Sequence, residues 1–445
     1  MEIVIIGGIA AGMGTAAKAA RENPDANITV IEKEDYISFG ACGLPYYLGG
    51  QFEDSNKMFA RTVEQIRDQG IDVKINHEAI KIDYDKKLVH YENLKNGEQK
   101  TMSYDRLVIA SGAQAMIPGI DGVNAENVYT FTRLKSVKAV KEEVDSVNKV
   151  SIVGGGFIGV EVAEQLAHLG KEVTIIEGLE GLMANQFDPE FSEKIKGALE
   201  EENVKVVLNE FVEEFELENQ KVKAVKTAKR VIETDLVILA VGFHPNTNFA
   251  KDEKLEMLEN GAIIVDRYGE SSIPDVFSAG DSTASFHRIK GTTYTPLATV
   301  ASKMARVIAV NVASKDKNSI EYPGHLGTGA VKVGNFEAGS TGINEIDAKK
   351  LGIDYKTTMI TASNHTGYWP NRTPIDIKLV YEAESKKLLG AQVFGEQDAV
   401  LRLTGLTTAV HAELTTDEIG FIDYSYAPPF ATTFEAINIA ANTAK

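Results

Sequence analysis

The chain has 445 residues, 43% of them hydrophobic, enough for about three packed domains. Its net charge of -18, from 46 basic against 64 acidic residues, argues against nucleic-acid and anionic-membrane partners, so an anionic small molecule must be captured by local donors. One cysteine excludes an intramolecular disulfide and a thiolate-rich metal site, and the eight scattered histidines have no ligand spacing, so no metal is expected.

Glu2–Ile6 reads as a strand, followed by a glycine-rich turn, an alanine-rich helix to about Arg21 and a strand at Ile28–Glu32. That is one βαβ unit. The apolar start lacks the basic head of a signal peptide, position 2 being Glu, and every long apolar run is broken by charge or glycine. Neither a leader nor a transmembrane helix is expected, and a cytoplasmic location is. The same grammar returns at strand Lys149–Val153, turn 154–159, a helix to His168 and strand Glu172–Glu177. Leu107–Ala110 before Ser111-Gly112, and Leu236–Val241 before Gly242, read as closing strands of two nucleotide-binding domains. Asp266–Asp281 reads as another strand and turn. From about Gly324 the pattern changes: Ile375–Tyr381 and Leu388–Phe394 form a hairpin, and Asp398 to about Glu413 an amphipathic helix. The expected fold is α/β, with two Rossmann-like dinucleotide-binding domains and a C-terminal α+β domain.

The second fingerprint, Gly154-Gly155-Gly156-Phe157-Ile158-Gly159, matches G-x-G-x-x-G between a strand and a helix. Gly154 permits the tight turn, Gly156 lets backbone approach a pyrophosphate, and Gly159 lets helix and strand pack closely. The pyrophosphate then rests on the free N–H groups of the helix start. Glu177 ends the next strand, where a carboxylate accepts from a ribose 2′-OH and repels a 2′-phosphate; Gly178, Leu179 and Glu180 add no cation. This favours NADH over NADPH.

The first fingerprint keeps Gly7 and Gly12 but has Ile9 in the middle, and Glu32 closes its following strand. Ser272-Ile273-Pro274-Asp275-Val276-Phe277-Ser278-Ala279-Gly280-Asp281 resembles the stretch that closes the FAD site of flavoprotein reductases. The resemblance implies that Asp281 holds the ribityl chain. It also implies FAD contacts at Gly7, Gly8, Ala11, Gly12, Glu32, Lys33, Ala79, Ser111, Gly112, Arg133, Gly280, Leu297 and Ala298, and NADH contacts at Gly154, Gly156, Phe157, Ile158, Gly159, Glu161, Glu177 and Gly242.

Cys42 lies in Ser38-Phe39-Gly40-Ala41-Cys42-Gly43-Leu44-Pro45-Tyr46-Tyr47. Two-cysteine reductases have C-x4-C here; in this chain the second position is Tyr47. Gly, Leu and Pro after the cysteine predict a helix start, whose dipole lowers a thiol pKa. Without a second thiol, the oxidised form is a sulfenic acid or a mixed disulfide with a small thiol.

The whole chain resembles the single-cysteine branch of the pyridine nucleotide–disulfide oxidoreductases: coenzyme A-disulfide reductase, NADH oxidase and NADH peroxidase. That implies an FAD domain at 1–118 and 242–322, an NADH domain at 119–241 and a dimerisation domain at 323–445, in a homodimer. Oxidases and peroxidases carry a histidine where this chain has Ala10. Tyr368, in His365-Thr366-Gly367-Tyr368-Trp369-Pro370, and Tyr426, in Ser425-Tyr426-Ala427-Pro428-Pro429-Phe430, match the two active-site tyrosines of coenzyme A-disulfide reductases. Ser38 keeps its family position, whereas Ala41 replaces the usual Asn. Lys18 and Arg21, on one helix face, are candidates for the phosphates of coenzyme A. No rhodanese-like stretch follows Lys445, so sulfur transfer is not expected. The expected reaction is NADH-dependent reduction of coenzyme A disulfide through a Cys42 adduct. The alternatives are an NADH oxidase or peroxidase cycling Cys42 through sulfenic acid, and a redox-sensing flavoprotein.

Overall fold

The computed structural model describes residues 1–316 and 318–445. The chain divides into two compact units, each assembled from separate stretches. The first contains Met1–Gly43, Phe52–Gln114 and Phe243–His325, and the second Leu44–Gln51, Ala115–Gly242 and Leu326–Lys445.

The core of the first unit is a five-stranded parallel sheet in the order Val276–Ser278, Arg106–Ile109, Glu2–Ile6, Asn27–Ile31, Ile71–Lys74. Its central strand is apolar and buried from Ile3 to Ile6 because both faces are covered there, as parallel sheets require. Ile5 lies opposite Val30 on one side and Val108 on the other. Helix Ala10–Glu22 crosses to the second strand, and its small residues let helix Ala298–Ala313 come close: a methyl on Gly14 would lie 3.2 Å from the Ala305 methyl. An antiparallel meander, His77–Asp83, Leu88–Asn93 and Glu98–Ser103, completes this part. The stretch Asp266–Asp281, read as a strand and a turn, contains both. Only Val276–Ser278 is strand, since Pro274 and Asp275, at φ 68°, break the ladder before it.

The second unit repeats the plan. Its parallel sheet runs Lys205–Val207, Glu172–Ile176, Lys149–Val153, Leu236–Leu239, Val128–Thr130. The short helix Leu44–Leu48, which directly follows the cysteine segment, lies against helix Phe157–His168 here. The C-terminal part is an antiparallel sheet in the order Gly329–Val333, Phe336–Gly342, Leu388–Gly395, Pro374–Glu382, Tyr355–Ser363, with helix Ala399–His411 on its face. Strand Pro374–Glu382 carries a lysine, Lys378, that is 2% exposed. Burial opposes its charge, but the hydrogen bonds it donates to Glu190, Glu345 and Asp188 hold it above the ordinary lysine range. These partners come from the ends of helices Pro189–Glu201 and Glu345–Lys350, so one buried cation ties the parallel-sheet part to the C-terminal sheet. Among the described residues no helix is long and apolar enough to cross a membrane, and no cluster of three metal-ligating side chains is found.

Candidate active site

In each unit the strand-to-helix turn is forced by crowding. Gly7 and Gly154 sit at φ 105° and 107°, and a side chain there would strike the Ala110 and Ala240 carbonyls, at 2.1 and 2.4 Å. Gly12 and Gly159 are equally confined, by the carbonyls of Gly7 and Gly154. The middle position behaves differently. Ile9 and Gly156 both precede their helices with negative φ, -97° and -79°, so a side chain is tolerated. The space beside Gly156 is open, with nothing within 4 Å, which leaves its backbone accessible to an anion. Neither helix start has a side-chain cap.

The two carboxylates that close these turns are bound alike. Glu32 accepts from the backbone N–H of Gly8 and of Glu34, at 2.5 and 2.7 Å; Glu177 accepts from Gly155 and Leu179, at 2.6 and 2.8 Å. Both carboxylates are thereby fixed in place at the ends of their strands. In the first unit Gly280 closes on the fingerprint helix: a methyl there would sit 3.0 Å from that of Ala11. The neighbouring Asp281 carboxyl is pushed above its usual range by burial. A half-buried acceptor beside close-approaching backbone suits a polyol chain, so the residues of this unit fit a flavin dinucleotide. Leu297 and Ala298 open helix Ala298–Ala313, again without a side-chain cap. Ser111 donates to the Asn246 carbonyl at 2.7 Å, and the Gly112 carbonyl accepts from Asn246 N–H at 2.9 Å. Ala79 is buried, and Lys33 is exposed in an ion pair with Glu78 at 2.8 Å.

The cysteine segment hangs from the first fingerprint. Ser38, at φ 53°, donates its backbone N–H to the Gly8 carbonyl at 2.9 Å. That left-handed backbone is uncommon for a residue with a side chain. Tyr36, Phe39 and Phe59 form a ring cluster beside it, with centroids 5.1 to 5.3 Å apart. Cys42 is exposed in a 3-10 turn, Ala41–Gly43, and the α-helix begins only at Leu44. The expected helix start therefore lies two residues beyond the thiol. Lys18, read as a phosphate ligand, is ion-paired to Glu22, while Arg21 is exposed.

In the second unit Tyr47 is buried, and Lys141 holds it by a 3.0 Å hydrogen bond to its carbonyl with the ammonium 4.9 Å from the ring centroid. Tyr46 donates to Glu161 at 3.4 Å. Burial pushes the Glu161 carboxyl up to about 7, against the lowering effect of Tyr46 and with help from Glu164. Phe157 touches Gly329, where a methyl would lie 2.7 Å from its ring. Ile158 is half-buried on the same helix; Arg133 stands at the N-cap of helix Leu134–Glu143; Gly242 is exposed at φ 110°.

Tyr368 and Tyr426 are 75% and 47% exposed, on two irregular segments of the C-terminal part. One buried residue that the sequence did not reveal fastens both. Arg402 donates to the Asn364 carbonyl at 2.8 Å and the Phe430 carbonyl at 3.0 Å, and pairs with Glu435.

Residues 1–305 match the family model for pyridine nucleotide-disulphide oxidoreductases, and residues 328–437 match that family's dimerisation domain. The NAD(P)H coenzyme A polysulfide/persulfide reductase of Pyrococcus horikoshii is 35% identical, with 100% of this chain and 98% of that protein aligned. The coenzyme A disulfide reductase of Staphylococcus aureus is 30% identical, with both chains fully covered. The structure of a water-forming NADH oxidase from Lactobacillus brevis, bound to NADH, matches with a TM-score of 0.96 at 32% identity, covering 100% of this chain and 98% of that one.

Proposed function

This chain belongs to the pyridine nucleotide-disulphide oxidoreductase family, and within it we propose an NADH:disulfide oxidoreductase that reduces coenzyme A disulfide through Cys42. It is an oxidoreductase that uses FAD and NAD(P)H. FAD is held by the first fingerprint, Glu32 and Asp281, and NADH by the second fingerprint and Glu177. The flavin, when bound, supplies the two-electron link between nicotinamide and sulfur.

The chain's own part is sulfur chemistry. The Cys42 thiolate attacks one sulfur of the disulfide, the S–S bond breaks, and one coenzyme A leaves as its thiolate. A two-electron reduction of the Cys42 mixed disulfide then releases the second coenzyme A and restores the thiolate. The balance is NADH, one proton and coenzyme A disulfide giving NAD+ and two coenzyme A thiols. Tyr368 and Tyr426 are the proposed donors to the departing sulfur, reaching the partner's Cys42 in a homodimer. Ser38 and Arg21 are the proposed substrate contacts; Lys18 joins them only by giving up Glu22.

The observation that carries this reading is Cys42 itself, the chain's one thiol, exposed in a turn suspended from the flavin fingerprint. A second reading, an NADH oxidase or peroxidase cycling Cys42 through sulfenic acid, is favoured by the likeness to the Lactobacillus brevis oxidase. Intact-mass measurement of unreduced protein separates them. A coenzyme A adduct on Cys42 supports the disulfide reading, and an added oxygen supports the other.

A further inference from the structure

We infer that Phe211 and Leu179 form the wall on which the adenine of NADH stacks, with Gly178 kept as glycine to seat the Phe211 ring. The inference rests on NADH occupying the second fingerprint. Along a dinucleotide the order is pyrophosphate, ribose, adenine. The first belongs at Gly156 and the helix start, the second at Glu177, and the third must lie beyond Glu177.

Two apolar side chains stand exposed there. Phe211 is 72% exposed and Leu179 45%. They sit on loops joined by two backbone hydrogen bonds: Glu210 N–H to the Glu177 carbonyl at 3.1 Å, and Asn209 N–H to the Leu179 carbonyl at 3.0 Å. The Phe211 ring lies over Gly178, where a methyl would come within 2.2 to 2.6 Å of three ring atoms. The residue before it, Glu210, is buried and fixed by the Thr227 hydroxyl at 2.6 Å and the Arg230 guanidinium at 2.7 Å. A rigidly mounted aromatic left in water next to a ribose acceptor is what stacking on a flat base requires. Little side-chain entropy remains to be lost on binding. The Phe211 ring lies outside the buried core.

The test is calorimetric titration of ADP-ribose, which carries adenine but no nicotinamide, into the FAD-loaded enzyme. Phe211→Ala is expected to weaken ADP-ribose by about 5- to 150-fold, the range for loss of one stacking surface. Phe211→Tyr should bind nearly as the parent does. Gly178→Ala, which displaces the ring without removing it, should fall between. The KM for reduced nicotinamide mononucleotide, which lacks adenine, should not change in any of them. If Phe211→Ala binds ADP-ribose within twofold of the parent while Glu177→Ala binds it weakly, the adenine wall is wrong and the NADH site stands. If neither substitution weakens binding, the NADH site itself is misplaced and the inference falls with it.

Discussion

Arg402 and Glu435 form a buried ion pair whose guanidinium also reaches three backbone carbonyls, that of Asp398 on its own helix and those of Asn364 and Phe430. Asn364 lies four residues before Tyr368, and Phe430 four after Tyr426. One side chain thus fixes the roots of both tyrosine segments. Glu435 in turn caps the final helix, Ala436–Asn442, through Ile437 N–H at 2.6 Å. Arg402→Met should leave this acid buried and unpaired, a loss of about 3–5 kcal/mol. Arg402→Lys should restore little, because an ammonium lacks the planar fork. Chemical denaturation measures the stability. Disulfide turnover should fall by about tenfold or more as the tyrosines lose position, with FAD content retained because the proposed flavin ligands Glu32 and Asp281 belong to the other unit.

Cys42→Ser is expected to give a yellow, folded protein without disulfide turnover. The thiol is exposed. The measurements are flavin absorbance and NADH consumption with coenzyme A disulfide; turnover at the parent rate would place the chemistry elsewhere.

NADH should be preferred over NADPH. Glu177 is pinned by Gly155 and Leu179 N–H groups, so it cannot swing away from a 2′-phosphate. The clash costs on the order of 1–3 kcal/mol, or about 10- to 100-fold in kcat/KM. Glu177→Ala should narrow that ratio, and equal values in the parent would remove the role assigned to Glu177.

Glu161 sets a pH dependence of stability. Its carboxyl ionises near 7 in the folded chain and at 4.5 as the reference value. The folded state therefore holds a proton more tightly than the unfolded one. The advantage is fully present below about 4.5 and is lost as pH rises through about 7. Glu161→Gln keeps an acceptor for Tyr46 but cannot ionise. Relative to the parent it should gain on the order of 1–3 kcal/mol at pH 8.5 over its value at pH 4.5. Melting temperatures at the two pH values check this, and a gain that is flat with pH would mean Glu161 is not held neutral by burial.

The two fingerprints were legible because their causes are local. Parallel strands covered on both faces read as apolar runs, and Gly7, Gly12, Gly154 and Gly159 are each demanded by a carbonyl within about 2.5 Å, too close for any side chain. The Arg402–Glu435 pair was not legible, because a contact across 33 positions leaves no periodic trace. Lys378 was hidden for the same reason: its three carboxylates come from positions 188, 190 and 345. Position 42 was recognisable by composition, yet the 3-10 turn that holds it follows from Ser38 and Gly8, whose pairing depends on the folded sheet. Phe211 carries no sequence signal of its own, because what sets it apart is the contact with Gly178 across 33 positions of chain.

The substrate is tested most directly by kcat/KM for coenzyme A disulfide, hydrogen peroxide and oxygen under one set of conditions with NADH as donor. Peroxide chemistry needs a donor beside the thiolate, and Ala10, the first residue of the fingerprint helix, cannot supply one. Loss of such a donor costs on the order of 10- to 1000-fold. Coenzyme A disulfide should therefore lead by at least about tenfold. Peroxide or oxygen leading by that margin would contradict the disulfide reading and make Cys42 the centre of a sulfenic acid cycle.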